Sequence, residues 1–368
     1  METVQSWAEI GERIAEVREA AGLSQGGLAA RMGLDRTALV RMEAGDRRVT
    51  ALELFRLAEI LGVPPAHFMS RPPAALVSRR SALETDADVP SRDRYRLDAR
   101  LEEHARNAQW LVGNGFLLPP PPDSRAGRGA GTEDPVSMAQ AARSAAEVSA
   151  GPLGALGGVL ERLGLYLTVV DEPAEGASLL LDGYGVAVIS GRVPPGRRRW
   201  TAVHELGHHL LQDEYHSDAG VAASRDEREQ RIDRFVEEFL LPEAAFRRSW
   251  DEAVRSAGAP RAALVGIAAS YRVSWSATVA RARRLGLVGD TDARRLKADT
   301  PTRGDFLALC GSEPEPDLAP GTTGPQWRRA ALSAWSTGAV TAPRVVELLY
   351  GAITEDDLPG QDLAECLP

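Results

Sequence analysis

Residues 199–208 read Arg-Trp-Thr-Ala-Val-His-Glu-Leu-Gly-His, and this stretch decides what kind of domain fills the middle of the chain. It contains the pattern His-Glu-x-x-His, in which two histidines four residues apart lie on one face of a helix and can bind one zinc ion. We therefore expect His204 and His208 to be metal ligands, with Glu205 beside the ion. Thr201 is a suitable N-cap, so the metal-binding helix is predicted to begin there.

The segments around this motif predict an α+β domain. Residues 156–163 have the apolar spacing of a helix, and residues 165–170 and 185–190 read as strands. Strong helical patterns follow at residues 201–212 and 226–241. The strand at 185–190 comes just ahead of the metal-binding helix, so we expect an extended substrate to pair with it by strand addition.

A catalytic zinc ion needs three protein ligands and an open position for water, so a third ligand is expected after the motif. Glu229 and Asp233 lie one turn apart on one face of the second helix. We expect Glu229 to bind the metal. Two interpretations of Asp233 stay open, because it can either accept a hydrogen bond from a ligating histidine or pair with an arginine one turn away.

Other polar residues near the motif have less defined roles. A donor for the oxyanion of a hydrolysis reaction is available from His209, Tyr215 or His216, and their spacing does not choose among them. His209 and His216 are better explained as structural residues, in packing or on the surface. Glu237 and Glu238, later in the second helix, are expected to form a solvated face.

A second informative stretch lies near the N-terminus and predicts a helix-turn-helix. Residues 23–45 read Leu-Ser-Gln-Gly-Gly-Leu-Ala-Ala-Arg-Met-Gly-Leu-Asp-Arg-Thr-Ala-Leu-Val-Arg-Met-Glu-Ala-Gly. Ser24 and Asp35 are predicted N-caps of two short helices, and Gly33 makes the turn between them. Residues 36–43 are then the recognition helix, the element that such domains place in the major groove of DNA.

The overall charge limits where a nucleic acid could bind. The chain carries 43 Lys and Arg residues against 52 Asp and Glu residues, which gives a net charge of -9. This balance excludes a chain coated with basic surface, so any contact with DNA must come from a local patch. Such a patch is formed within residues 31–48 by Arg31, Arg36, Arg41, Arg47 and Arg48.

The cysteine content and the apolar patterning indicate the compartment. Only two cysteines occur, Cys310 and Cys366, which fits a reducing cytoplasm and excludes a cysteine-rich metal cluster. No apolar run approaches the length that spans a membrane, and the N-terminus lacks the order of a signal peptide. We therefore expect a cytoplasmic protein without a membrane partner.

The N-terminal stretch, together with Leu57-Ala58 and Leu61-Gly62-Val63, resembles the XRE (lambda-repressor-like) family of DNA-binding domains. The resemblance implies a double-stranded DNA operator as partner, and homodimers on two half-sites are common among such proteins. It places six residues at the DNA face: Gln25, Arg36, Thr37, Ala38, Val40 and Arg41. An alternative is that the helical domain mediates dimerisation or protein contacts without touching DNA.

Residues 199–208, taken with the stretch from Glu229 to Pro242, resemble the ImmA/IrrE metallopeptidase family over about residues 135–290. The resemblance implies one zinc ion per chain, with Glu229 as its third ligand after His204 and His208. It also implies that the substrate is a protein, either another transcriptional repressor or the chain itself. Glu205 would act as the catalytic base.

The sequence therefore predicts a multidomain protein. An all-α helix-turn-helix domain is expected over residues 1–70, a linker with one helix over 71–134, an α+β zincin-like metallopeptidase domain over 135–290, and a helical region without assigned chemistry over 291–368.

Two functions remain open at this point. In the first, the chain is a DNA-binding transcriptional regulator that carries a zinc-dependent endopeptidase. In the second, it is a non-proteolytic DNA-binding regulator whose metal-binding domain senses a ligand or a partner. The presence of Glu205 favours the first function, because a pure sensor could lose the base and keep its metal ligands.

Overall fold

The computed structural model describes residues 4–69, 78–80, 89–121, 134–148, 150–211 and 222–361. Helices predominate, and a single sheet occupies the middle of the described chain. This is the predicted combination of a helical N-terminal domain, an α+β region and further helices at the C-terminal end. None of the helices in these ranges combines the length and the apolar character needed to cross a membrane.

The N-terminal domain consists of four helices and a short 3-10 helix, with the ranges α1 Trp7–Ala20, α2 Gln25–Met32, α3 Arg36–Glu43, α4 Ala51–Leu61 and Pro65–Met69. Its core is formed by fully buried apolar side chains, among them Ile14, Leu28, Leu39, Met42, Leu57 and Phe68. Burial of these side chains holds α2 and α3 in a fixed relative orientation, which a helix-turn-helix requires.

The local signals of the helix-turn-helix are confirmed. The side chain of Ser24 accepts a hydrogen bond from the Gly27 amide at 3.0 Å, and that of Asp35 accepts one from the Ala38 amide at 2.7 Å. Gly33 ends α2 in the left-handed conformation, with φ at 70°. These caps satisfy amide groups that a helix leaves without internal partners, so they set where α2 and α3 begin.

The linker helix predicted within residues 71–134 is α5, Val89–Gly113. Its apolar side chains are buried against the sheet, as the low exposure of Leu101, Ala105 and Leu111 shows. Its first half also contacts the N-terminal domain, since Glu102 accepts a hydrogen bond from the buried guanidinium of Arg13 at 2.8 Å. The helix therefore connects the N-terminal domain to the sheet by packing on both.

The sheet has four strands: β1 Ser78–Arg80, β2 Leu165–Val170, β3 Gly176–Leu180 and β4 Gly185–Ser190. Their order is β1-β3-β4-β2, with β2 and β4 parallel and the other two pairs antiparallel. The strands predicted at 165–170 and 185–190 are confirmed. β1 and β3 were not predicted, because both are short and lack the run of β-branched and aromatic residues that signals a strand.

Within the described residues between 135 and 284 there are seven helices: α6 Pro135–Ala145, α7 Leu156–Arg162, α8 Pro195–Leu211, α9 Ala222–Leu240, α10 Glu243–Ala257, α11 Pro260–Tyr271 and α12 Trp275–Arg284. The face of the sheet that carries Leu167 and Ile189 packs with α8 and α9, and the face that carries Tyr166 and Val188 packs with α5. Strand residues alternate between faces, so consecutive residues contribute to different cores.

The prediction that α8 begins at Thr201 is wrong. The helix begins six residues earlier, at Pro195, and Thr201 is a fully buried residue in its interior. A proline is well tolerated at the first position of a helix, where its missing N–H has no helical partner. The helix therefore begins at Pro195 instead of Thr201.

The prediction that Glu237 and Glu238 form a solvated face is also wrong. Both are 4% exposed, and arginines of α12 cover them: Arg281 pairs with both carboxylates, and Arg284 pairs with Glu237 at 2.7 Å. Helix α12 covers this face of α9, and no local sequence pattern indicates that contact. Burial raises the pKa of Glu237, and the nearby guanidinium groups oppose that effect.

The C-terminal helices are α13 Asp290–Ala298, α14 Arg303–Cys310, α15 Pro325–Ser336 and α16 Ala342–Leu348. The α15 helix is anchored by the buried carboxylate of Glu161, which accepts hydrogen bonds from the amides of Gln326 at 2.7 Å and Trp327 at 2.8 Å. Trp327 is buried in the same core as α5. Helices α15 and α16 thus share a core with α5 and the sheet.

Candidate metal centre and nucleic-acid interface

The structure brings His204, His208 and Glu229 together. The Nε2 atoms of the two histidines are 3.1 Å apart, and the Glu229 carboxylate lies 3.3 Å from His204 Nε2 and 3.9 Å from His208 Nε2. Both histidines are 1% exposed, while the Glu229 side chain is 36% exposed. The cluster is therefore enclosed by α8 on one side and reachable from solvent on the side of Glu229.

The spacing of these donor atoms suits a zinc ion. Two ligand atoms that bind one tetrahedral zinc at about 2.1 Å lie about 3.4 Å apart. The three distances in the cluster scatter around that value, and all three ligand atoms lie within 4.8 Å of one another. Two imidazoles and one carboxylate are also the donor set of many catalytic zinc sites, which leave one position open.

Close packing of α8 on α9 makes this convergence possible. A Cβ atom at Gly207 would lie 3.0 Å from the Ile232 side chain and 3.2 Å from the Phe235 side chain, so a larger residue here would require these side chains to shift. Ile232 and Phe235 are fully buried at this contact. The small fourth residue of the His-Glu-x-x-His motif thus lets α9 approach, and α9 in turn carries Glu229 to the histidines.

Glu205 is fully buried beside the cluster and is held from β3. The Ser178 hydroxyl donates a hydrogen bond to Glu205 Oε2 at 2.7 Å. Glu205 Oε1 has no hydrogen-bond partner among the described residues. A buried carboxylate oxygen without a partner is costly, and its presence beside three potential metal ligands indicates a role in proton transfer. Sequence reasoning missed Ser178, because a serine in a short strand carries no local signal.

The approach of β3 to α8 also depends on a glycine. A Cβ atom at Gly176 would lie 2.7 Å from the Thr201 side chain and 3.1 Å from Glu205 Oε1. Any other residue at this position would push the strand away from the helix or occupy the space next to the carboxylate. Gly176 and Ser178 therefore set the environment of Glu205 from one strand.

Asp233 lies on the outer side of His204. Its Oδ1 atom is 3.9 Å from His204 Nδ1, on the side of the ring away from the cluster. His204 Nδ1 has no hydrogen-bond partner among the described residues. Of the two interpretations of Asp233, this position favours orientation of the histidine, although the distance is longer than a direct hydrogen bond.

The candidates for an oxyanion donor are not brought to the cluster by the described structure. The ring of His209 lies against β4, where a Cβ at Gly185 would be 2.5 Å from His209 Nδ1. His209 is buried in that contact, which agrees with its interpretation as a structural residue. Tyr215 and His216 fall outside the described residues.

The prediction that the strand at 185–190 pairs with substrate is wrong. β4 is flanked by β3 on one side and by β2 on the other, so its backbone groups are already paired. The order of strands is a property of the whole sheet, which the position of a segment in the sequence does not reveal. The strand that approaches α8 through Gly176 and Ser178 is β3.

The predicted DNA-contacting residues lie on one region of the N-terminal domain. Arg36, Thr37, Val40 and Arg41 are exposed on α3, while Leu39 and Met42 of the same helix are buried. Ala38 is partly exposed. The side of α3 opposite to the core therefore presents two guanidinium groups to solvent.

Gln25 is held at the start of α2 by a buried network. Its side-chain amide donates to Glu43 at 2.8 Å, and Glu43 also accepts from Arg18 at 2.6 Å. Hydrogen bonding to Glu43 raises the pKa of Arg18 further above its ordinary value. Glu43 thus joins α1, α2 and α3, which orients Gln25 and makes Glu43 a structural residue.

Two parts of the chain match family models. Residues 14–68 match the model described as helix-turn-helix, and residues 164–283 match the peptidase M78 model described as IrrE N-terminal-like domain. The first region contains α2 and α3, and the second contains the His204, His208 and Glu229 cluster. No curated protein and no solved structure matches the chain.

Proposed function

The chain joins an XRE-type helix-turn-helix domain to an ImmA/IrrE-like metallopeptidase domain, and we propose that it is a DNA-binding regulator that hydrolyses a peptide bond in a protein. The observation that carries the proposal is the burial and hydrogen bonding of the Glu205 carboxylate. Its buried carboxylate has one oxygen fixed by Ser178 and the other without a partner among the described residues, next to three residues of the type that bind zinc.

We assign His204, His208 and Glu229 as the ligands of one zinc ion. M78 peptidases are generally zinc-dependent, and the distances within the cluster suit that ion. When bound, zinc polarises the scissile carbonyl and lowers the pKa of water toward about 7. Asp233 keeps the His204 ring turned so that Nε2 faces the cluster, because its carboxylate lies on the Nδ1 side.

Glu205 performs the proton transfers. Its free oxygen accepts the proton of the attacking water while the water oxygen forms a bond to the carbonyl carbon of the peptide. The C–N bond then breaks, and Glu205 gives the proton to the nitrogen of the leaving amine. Ser178 holds the other carboxylate oxygen throughout, so Glu205 keeps one orientation in both transfers.

The proposed substrate is a DNA-binding repressor or the chain itself. The proposal is tested by expressing the chain with each protein encoded beside it, in the wild-type form and with Glu205→Gln. Mass spectrometry then identifies new protein termini. Termini that form only with the wild-type chain support the proposal. Stoichiometric zinc together with intact proteins in every pairing would contradict proteolysis and favour the sensor function.

Removal of the Ser178 hydroxyl should slow catalysis without loss of metal. Hydrogen bonds to charged groups contribute about 1.5–3 kcal/mol, so Ser178→Ala is expected to lower kcat by about tenfold or more, with KM and zinc content unchanged. Steady-state kinetics on a cleaved protein or peptide provide the measurement. Ser178→Thr, which keeps a hydroxyl, should recover part of the rate.

The matched control for Ser178 is Ser190→Ala. Ser190 is a buried serine in the neighbouring strand, and its hydroxyl bonds to the Glu172 backbone carbonyl instead of Glu205. This variant should retain the wild-type kcat. Equal losses in the two variants would mean that the Ser178 effect comes from general loosening of the sheet.

Neutralising the two exposed arginines of α3 should weaken DNA binding. Arg36→Ala combined with Arg41→Ala is expected to lower affinity by about 10- to 100-fold and to reduce the slope of log affinity against log salt by about 2, if both contact phosphate or bases. The measurement uses a DNA duplex selected from a random pool by the wild-type chain, titrated at several salt concentrations.

The control for this pair is Arg294→Ala combined with Arg295→Ala. It removes the same charge from exposed positions on α13, outside the helix-turn-helix. Its affinity and salt slope should stay close to those of the wild-type chain. Unchanged DNA binding by the α3 pair would contradict the assignment of α3 as the recognition helix.

A further inference from the structure

The outer edge of β3 is occupied by a strand from the segment that follows the DNA-binding domain. β1, Ser78–Arg80, pairs antiparallel with β3, and the register joins Ser78 to Ser178 and Arg80 to Gly176. The two strand residues in register with the ends of β1 are therefore Ser178, which donates a hydrogen bond to Glu205, and Gly176, where a Cβ atom would lie 3.1 Å from Glu205 Oε1. This pairing places a piece of extended backbone directly beside the candidate catalytic base.

An edge strand presents a row of backbone N–H and C=O groups that an extended peptide can pair with. β4 pairs with β3 along the inner side, so the outer edge of β3 is the position where a peptide can join the sheet next to α8. A peptide bound there would lie against the strand that carries Ser178. In this structure β1 holds that position.

We propose that β1 is an internal occupant of the peptide-binding edge and keeps substrate away from the metal centre. The inference rests on the proposed function for its catalytic consequence. It assigns the kind of chain that the edge accepts, an extended backbone segment paired antiparallel to β3. It also assigns the regulation of the site, because a substrate can add to β3 only after β1 has left.

The position of β1 in the chain makes it an effective competitor. It lies between the last helix of the N-terminal domain, which ends at Met69, and α5, which begins at Val89. The N-terminal domain and α5 are held together, because the side chains of His67 and Arg13 both contact the carboxylate of Glu102 in α5. A segment tethered at both ends has a local concentration in the millimolar range, far above that of a typical protein substrate.

The test is a pair of prolines in β1. Arg79→Pro combined with Arg80→Pro removes two consecutive backbone N–H groups, and successive residues of an antiparallel strand direct these groups to opposite sides. At least one group that can face β3 is therefore lost. The control, Glu84→Pro combined with Thr85→Pro, places two prolines in the same linker outside β1.

Hydrogen exchange of the zinc-loaded full chain measures occupancy of the edge without reference to catalysis. The backbone amides within residues 176–178 that face β1 are expected to exchange at least about tenfold faster in the β1 proline pair than in the wild-type chain. The control pair should match the wild type. Equal protection of these amides in all three proteins would overturn the inference, whether or not the protein is a peptidase.

Hydrolysis measures the consequence of that occupancy. With a pooled library of internally quenched fluorogenic octapeptides, the β1 proline pair is expected to raise kcat/KM by at least about tenfold, and the control pair to leave it unchanged. Equal hydrolysis by wild type and β1 pair would overturn the inference while the proposed function stands. Faster exchange with no hydrolysis by any of the three proteins would support occupancy of the edge and refute the proposed function.

Discussion

Glu205→Gln is expected to bind zinc as the wild-type chain does and to hydrolyse its substrate about 10³-fold more slowly. Glutamine has the same shape and can still accept the hydrogen bond from Ser178, so the buried pocket keeps its packing. It cannot accept a proton from water at neutral pH. The loss should therefore fall on kcat, with little change in KM.

Two measurements on the same preparation establish this result. Zinc per chain is determined by mass spectrometry of the metal, and kcat is determined on a protein or peptide that the wild-type chain cleaves. Glu252→Gln removes the same charge from an exposed position on α10 and should keep the wild-type rate. A Glu205→Gln protein that turns over at the wild-type rate would remove Glu205 from the mechanism.

Glu229→Ala is expected to lose zinc, with an affinity at least about 10³-fold below that of the wild-type chain, because a catalytic site holds its ion with only three protein ligands. The loss of metal should abolish hydrolysis. The fold should persist, since the Glu229 side chain is 36% exposed and the buried contact of α9 with α8 is made by Ile232 and Phe235. His204→Ala should lose zinc in the same way.

Neighbouring acidic residues of α9 provide a graded series for this measurement. Glu227→Ala alters an exposed carboxylate two residues away and should retain full zinc. Asp233→Asn should lower zinc affinity by about 10- to 100-fold, the range found for residues that orient a ligating histidine. Competition with a chelator at several concentrations distinguishes the zinc affinities of these variants. Full zinc retention by Glu229→Ala would assign the third ligand to another residue.

The candidate site was largely predictable where it depends on one helix. His204, Glu205 and His208 follow from helical spacing, and Glu229 follows from the requirement for a third ligand together with the family resemblance. Ser178 could not be found in this way, since it comes from β3, a strand too short to be recognised. The contact between Ser178 and Glu205 joins residues 27 positions apart, and local periodicity contains no information about such pairs.

The helix-turn-helix was predictable for the same reason as the His-Glu-x-x-His pattern of α8, because both depend on residues close together in the sequence. The side chains of Ser24 and Asp35 cap amides three residues later, and Gly33 itself adopts the left-handed conformation. Each of these sequence signals therefore involves only neighbouring residues. The prediction for Glu237, which depends on a partner distant in the sequence, was wrong. Glu237 was expected in solvent, and the arginines of α12 bury it.

The sequence by itself predicted two local features of this protein: a helix-turn-helix whose second helix carries two arginines, and a helix with two histidines and a glutamate in the pattern typical of zinc sites. Those features depend on the helical repeat, which is a local property of the backbone. The tertiary structure alone decided that β3 borders Glu205, that β1 pairs with the outer edge of β3, and that α15 and α16 share a core with the sheet. Strand order and helix packing arise from contacts between residues far apart in the chain, and these are selected by the burial of whole faces during folding.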